Sequence, residues 1–233
     1  MRLLGMIGGL GWPSTVEYYT KLNTLVERER GTFHSAPLLL FSLEFAPILR
    51  LQGAGRWQEV GDMMCDTASR LEKAGAQGLI LCSNTMHTVA DRIEDAVGIP
   101  LLHVADAVAS VLAAQGVKRA GLLGTRYTME GSFYSTRLEE RFDIEVLTPE
   151  KKERDRINSI IYNQLAKGII TDASKEVARD AAAGLEERGA QALIVGCTEL
   201  PMVLSQNDVG LPLFETLPLH MQAAADFILD KEE

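Results

Sequence analysis

Gly75-Ala76-Gln77-Gly78-Leu79-Ile80-Leu81-Cys82-Ser83-Asn84-Thr85 returns as Gly189-Ala190-Gln191-Ala192-Leu193-Ile194-Val195-Gly196-Cys197-Thr198-Glu199, with the second cysteine 197 − 82 = 115 positions after the first. Two further blocks keep the same order and nearly the same period. Gly5-Met6-Ile7-Gly8-Gly9 recurs as Gly121-Leu122-Leu123-Gly124-Thr125, and Val97-Gly98-Ile99-Pro100-Leu101-Leu102 recurs as Val209-Gly210-Leu211-Pro212-Leu213-Phe214. Ordered blocks at one period indicate an internal duplication. Each cysteine closes a short apolar run of the kind that forms a buried strand. Two similar halves facing each other across a cleft would set one cysteine on each wall. A carbon held between them could lose a proton from one face and regain it on the other.

Along the rest of the chain, short apolar runs alternate with longer segments of helical period, which predicts an α/β fold with parallel strands and crossover helices. Strands are expected over Leu3–Ile7, Pro37–Ser42, Gly78–Cys82, Leu101–His103, Arg119–Gly124, Ile144–Leu147, Ala192–Gly196 and Leu213–Phe214. Helices are expected from Ser14 to about Arg30, opened by a Ser14-x-x-Glu17 capping box, and over Trp57–Lys73, Met86–Ala96, Ala105–Ala114, Glu130–Arg141, Lys152–Lys167, Ala173–Arg188 and Pro218–Leu229. The third repeated block leads into Asp106–Ala114 in one half and into the C-terminal helix in the other. The chain should therefore cross twice, giving a first half of 1–103 plus 214–233 and a second of 104–213, related by a pseudo-two-fold.

Composition narrows the functional classes. The 233 residues are 46% apolar and 24% charged, which suits one large or two small globular domains. A formal charge of −9 argues against a general grip on nucleic acid, which needs clustered Lys and Arg. It also means that any site for an anionic small molecule must be made locally. Three cysteines, without a Cys-x-x-Cys pair or a secretory start, point to reduced thiols in the cytoplasm. The apolar N-terminus reads as a first buried strand rather than a signal peptide, because Trp12-Pro13 and an amphipathic segment follow it. No window has the roughly 18 uninterrupted apolar residues of a membrane span.

Ligands of open parallel sheets sit beyond the carboxyl ends of strands, where a following helix offers free N–H groups. Cys82 and Cys197 both fall there. A helix N-terminus would lower a thiol pKa from about 8.5 toward neutrality and so supply a thiolate base. Ser83, Asn84, Thr85 and Thr198 are the hydroxyl and amide donors beside them, suited to a carboxylate and to the charge that develops when an α-proton is removed. Cys65 lacks an echo and reads as a core residue of a helix. The histidines have no metal-site spacing, there is no Gly-x-Ser-x-Gly elbow, and Ser14 replaces the third glycine of a dinucleotide fingerprint. Neither metal nor cofactor is expected.

The motifs Cys82-Ser83-Asn84-Thr85-Met86-His87 and Gly196-Cys197-Thr198-Glu199, with Gly8-Gly9-Leu10-Gly11-Trp12-Pro13-Ser14-Thr15, closely resemble the aspartate/glutamate racemase family over essentially the whole chain. The resemblance implies cofactor-independent racemisation of aspartate or glutamate by a homodimer, with paired cysteines acting as thiolate and thiol on opposite faces of Cα. Cys197 would deprotonate the L-antipode and Cys82 the D-antipode. It further implies that Leu10, Gln52, Thr125 and Thr128 face the substrate, together with Ser83, Asn84, Thr85, Thr198 and Glu199; for Thr125 and Thr128 a turn or capping role is the alternative. Where strict aspartate racemases carry a lysine, this chain reads Ile169-Ile170-Thr171-Asp172, so Arg50, Arg56 and Arg126 become the candidates for the distal carboxylate. His87 is either a substrate or thiolate partner or a helix-face residue. Hydantoin racemases and maleate isomerases share the duplicated architecture, and a non-catalytic small-molecule binding module is the reading outside enzymes.

Overall fold

The computed structural model describes residues 1–230; positions 231–233, assigned above to the first half, lie outside the described residues. The chain forms two compact units, Met1–His103 with His220 onward, and Val104–Leu219. The first contains β1 (Leu4–Gly8), α1 (Trp12–Arg30), β2 (Leu38–Ser42), α2 (Phe45–Gly53), α3 (Trp57–Lys73), β3 (Gly78–Leu81) and α4 (Ala90–Ala96). The second contains α5 (Val104–Ala114), β4 (Arg119–Gly124), α6 (Arg126–Glu130), α7 (Ser132–Phe142), β5 (Glu145–Leu147), α8 (Lys151–Asn163), α9 (Asp172–Glu187), β6 (Ala192–Gly196) and β7 (Leu213–Glu215). The last helix, α10 (Thr216–Leu229), begins in the second unit and ends in the first. No helix among the described residues is long and apolar enough to cross a membrane.

Both sheets are parallel, in the orders β2-β1-β3 and β5-β4-β6-β7. A single bridge, Leu79↔Leu101, adds to the first sheet what β7 adds to the second. The repeated residues explain the matching registers. Gln77 accepts the Leu3 N–H at 2.9 Å through its side chain, and Gln191 accepts those of Lys118 and Arg119 at 2.7 and 3.1 Å, so each glutamine clamps the start of the central strand beside it. Gly75 and Gly189, at φ 99° and 89°, end α3 and α9 in left-handed turns. There the N–H of Ala76 returns to Leu71 O and that of Ala190 to Leu185 O, satisfying carbonyls that the helix end leaves open. The Leu79 and Leu193 N–H groups reach Pro100 O and Pro212 O at 2.8 and 2.9 Å.

Alternating strand residues fill both faces of the second sheet. Leu123, Leu193 and Val195 pack with Ile157, Ile161 and Leu185 on one side; Leu122 and Ile194 pack with Val108, Leu112 and Leu138 on the other. In the first unit Ile7, Leu79 and Leu81 meet Val60, Met64 and Leu71 of α3, while α1 buries Tyr18, Leu22 and Val26 at helical spacing.

Several elements depart from expectation. Leu101–His103 is one bridge rather than a strand, since the chain turns into α5 at Val104. The return to the first unit comes at His220 rather than Phe214, because Phe214 pairs with Ile194 in β7. The Ser14 box does not cap α1: the helix starts at Trp12, after left-handed Gly11, and Ser14 lies inside it. The helix expected from Met86 is a 3-10 turn, Thr85–Val89, followed by α4; Gly131 divides the one expected from Glu130. The helix predicted to reach Lys167 stops at Asn163. α2 was not foreseen at all; Pro47 falls in its first turn, where a missing N–H costs nothing.

Candidate active site

Cys82 follows β3 directly and Cys197 follows β6 directly, and both are buried. The Cys82 N–H extends the ladder to Ile7 O at 3.0 Å. Beyond each cysteine comes a 3-10 turn, Thr85–Val89 in one unit and Leu200–Met202 in the other, not an α-helix. Neither cysteine is therefore followed by the α-helix N-terminus expected to lower its pKa, although the Glu199 and Leu200 N–H groups of the turn after Cys197 still act in that direction. Burial pushes the Cys82 thiol well above its ordinary range. Cys197 is pushed up first by burial and then by the negative charge of Glu199. Both sulfurs rest as thiols, the reverse of the sequence expectation.

The sequence alone did not show that Glu199, named above among the substrate-facing residues, also holds the sulfur: its Oε2 accepts the Cys197 S–H at 2.8 Å and the Thr198 hydroxyl at 2.9 Å. The duplication held the clue, since the position two residues past Cys82 is the neutral Asn84. On the first side Asn84 and Thr85 are buried and Ser83 is half-buried; Ser83 O accepts a hydrogen bond from the His87 ring at 2.9 Å.

The other predicted residues divide by unit. Thr125 caps α6: its Oγ1 accepts the Thr128 N–H at 3.3 Å, and the two hydroxyls lie 3.1 Å apart. Gly124 and Gly196 pair across β4 and β6, and a Cβ on Gly196 would stand 3.1 Å from the Thr128 methyl and 3.2 Å from Leu123 O. These glycines let Thr128 lie over the end of the strand that carries Cys197. In the first unit, a Cβ on Gly9 would fall 2.1 Å from Leu43 O, so the glycine-rich loop answers a backbone approach. Leu10 packs into the first unit's core, and Gln52 is buried on α2.

None of the arginines considered for a distal carboxylate is held ready for one. Arg56 is paired with Glu59, Arg126 is exposed with its guanidinium over Tyr127, and Arg50 is exposed. Thr171 caps α9, accepting the Ser174 N–H at 3.1 Å. Cys65 is half-buried on α3, its S–H directed to Arg92 O at 3.3 Å. Among the described residues no group of three His, Cys, Asp or Glu is arranged to hold a metal ion.

Comparison with known proteins gives the architecture a context. The family profile described as Asp/Glu/hydantoin racemase matches residues 7–224. The crystal structure of a candidate Asp/Glu racemase from Yersinia pestis superposes with a TM-score of 0.94 at 45% identity, covering 98% of this chain and all of that one (100%). An aspartate racemase homologue from Pyrococcus horikoshii OT3 gives 0.82 at 32% identity, with 98% and 100% covered. The broad specificity amino-acid racemase RacX of Bacillus subtilis is 24% identical over 135 residues, a match that spans 57% of this chain and 58% of that protein. With two thiols at equivalent strand ends and a profile match over most of its length, the chain belongs to the Asp/Glu/hydantoin racemase family.

Proposed function

We propose that the chain racemises an acidic amino acid, aspartate or glutamate, by two-base proton transfer at Cα, with Cys82 and Cys197 as the two bases acting on opposite faces of the substrate. The observation that carries this reading is the pair of buried thiols at matched strand ends, one of them hydrogen-bonded to a carboxylate. A thiol must lose its proton before it can act as a base, and Glu199 is placed to accept that of Cys197. The resulting thiolate takes the Cα proton of the L-antipode. Cys82, kept protonated by burial, delivers its proton to the other face. The cycle closes when Cys82 regains a proton and Glu199 releases the one it took. Ser83, Asn84 and Thr85 donate to the substrate carboxylate as it becomes enolate-like, and Thr198 joins them by turning its hydroxyl away from Glu199. In this reading the protein works as a cytoplasmic homodimer, without cofactor or metal and without a nucleic-acid or membrane partner.

The reading extends to specificity. With Thr171 occupied as a helix cap and Arg56 tied to Glu59, neither position reserves a cation for the aspartate side-chain carboxylate, so glutamate and other amino acids compete with aspartate. The description of the Bacillus subtilis relative as a broad specificity racemase fits this breadth. Incubation of L- and D-aspartate, glutamate and neutral amino acids in D2O, followed by chiral chromatography and mass analysis, tests both parts. The expected result is inversion with one solvent deuteron at Cα for more than one amino acid. Absence of exchange would overturn the racemase reading, and a preference for aspartate above about 10³-fold, over 4 kcal/mol of discrimination, would overturn the breadth.

A further inference from the structure

All four histidines lie in the first unit, and His87, His103 and His220 are buried there together. The His87 ring meets that of His103 edge-on at 4.5 Å between centroids and that of His220 at 5.8 Å. Tyr18 of α1 packs edge-on against His220 at 5.7 Å. The hydrogen bonds fix the tautomers. His220 Nε2 lies 2.7 Å from Leu102 O, and a carbonyl only accepts, so Nε2 carries the proton. Burial holds the His220 pKa down to about 4, so the ring is neutral and its Nδ1 accepts the Tyr18 hydroxyl at 3.2 Å. By the same reasoning His87 Nδ1–H donates to Ser83 O, one residue beyond Cys82, while the His87 backbone N–H bonds to Asn84 O at 3.0 Å.

The placement along the chain gives the cluster its meaning. His103 is the last residue before the chain leaves the first unit, and His220 is the first on its return. Leu102, which receives the His220 bond, also donates its own N–H to Leu79 O of β3 at 2.9 Å. Apolar side chains would fill the places of His87 and His220 without the cost of burying imidazoles, so their directed hydrogen bonds are the gain. We propose that His87 and His220, with the His103 ring packed against His87, are positioning residues, which fix the turn from Ser83 to His87, and Cys82 with it, to the two points where the chain passes between units. This rests on Cys82 being a proton-transfer group, but its test does not require turnover.

Site-resolved alkylation by iodoacetamide, read by mass spectrometry at fixed pH, reports how firmly each thiol is held. In His87→Leu and His220→Leu, Cys82 should react about tenfold faster than in the parent, as expected for local opening. Cys65 in the same unit and Cys197 in the other should keep their parental rates. His220→Gln, which can still donate to Leu102 O and accept from Tyr18, should restore slow Cys82 alkylation. Unchanged Cys82 in both leucine variants, equal acceleration of all three thiols, or a glutamine variant no better than leucine would each overturn the proposal. Should the leucine variants fail to fold, Tyr18→Phe decides: it removes only the hydroxyl and should speed Cys82 alone. Because alkylation is read without substrate, failure of the racemase reading leaves this result intact, and failure of the positioning reading leaves exchange at Cα intact.

Discussion

Asn84 and Glu199 stand two residues beyond Cys82 and Cys197, at matched positions of the duplication, and they give the two strand ends different chemistry. The scaffolds around them agree closely: the same strand order, the same glutamine clamp, the same proline carbonyl on the next segment and a 3-10 turn after each cysteine. The charges differ. Burial alone raises the Cys82 thiol, beside an amide that takes no proton. Cys197 carries in addition a hydrogen bond to a carboxylate that can take one. Duplication thus supplies two equivalent positions for sulfur, and one residue in the following turn decides which is more readily made a base.

The largest effect expected is from removing either sulfur. Cys82→Ser and Cys197→Ser should each lower racemisation by about 10³-fold, the scale of lost general acid–base catalysis. The variant retaining Cys197 should still exchange the Cα proton of the L-amino acid slowly with solvent, and the one retaining Cys82 that of the D-amino acid. Mass analysis of recovered substrate reads this directly, and substantial inversion by either variant would break the comparison. Cys65→Ala, changed outside both strand ends, should keep the parental rate.

Glu199→Gln makes the second end resemble the first. Racemisation should drop about 10²-fold as the proton acceptor is lost. The pH midpoint for alkylation of Cys197 should nevertheless fall, because the charge that raises its pKa is gone, while that of Cys82 stays put. An unmoved Cys197 midpoint would show that the carboxylate is a bystander.

Acid stability should separate the units next. A neutral buried His220 with a folded pKa of about 4, against 6.5 in the unfolded chain, binds fewer protons folded than unfolded. Its contribution is fully present above about pH 6.5 and is lost as the pH falls toward 4, amounting to about 2 kcal/mol between pH 7 and 5. Hydrogen exchange should show that loss in the first unit and not in the histidine-free second, and His220→Gln should flatten it. The smallest difference lies in the clamps. Gln191→Ala removes an acceptor for two backbone N–H groups and Gln77→Ala for one, so chemical denaturation should show losses of about 1 and about 0.5 kcal/mol.

The repeat made the sheets and the positions of Cys82 and Cys197 readable, because buried parallel strands are short unbroken apolar runs and the period was nearly constant. What it obscured came from the same source. The block ending in Leu102 and the one ending in Phe214 look equivalent, yet the first makes one bridge before leaving its unit and the second makes a strand that stays. For Thr125 the sequence left a substrate contact and a cap both open, and the cap is what the fold displays; Leu10 was not legible as core, since a leucine between glycines has no periodicity to place it. The direction of the thiol pKa values went astray because no local pattern distinguishes a 3-10 turn from the start of an α-helix, and burial is a property of the finished fold.

Burial of the strand-end sulfurs also bears on durability. Peroxides and disulfides react with thiolates far faster than with thiols, and they must first reach the atom. Cys82 and Cys197 meet neither condition at rest, being protonated and shielded from water. The two atoms proposed to transfer protons are thereby stored in the form least open to oxidative damage, and under that proposal become vulnerable only in the brief interval when one of them has given up its hydrogen.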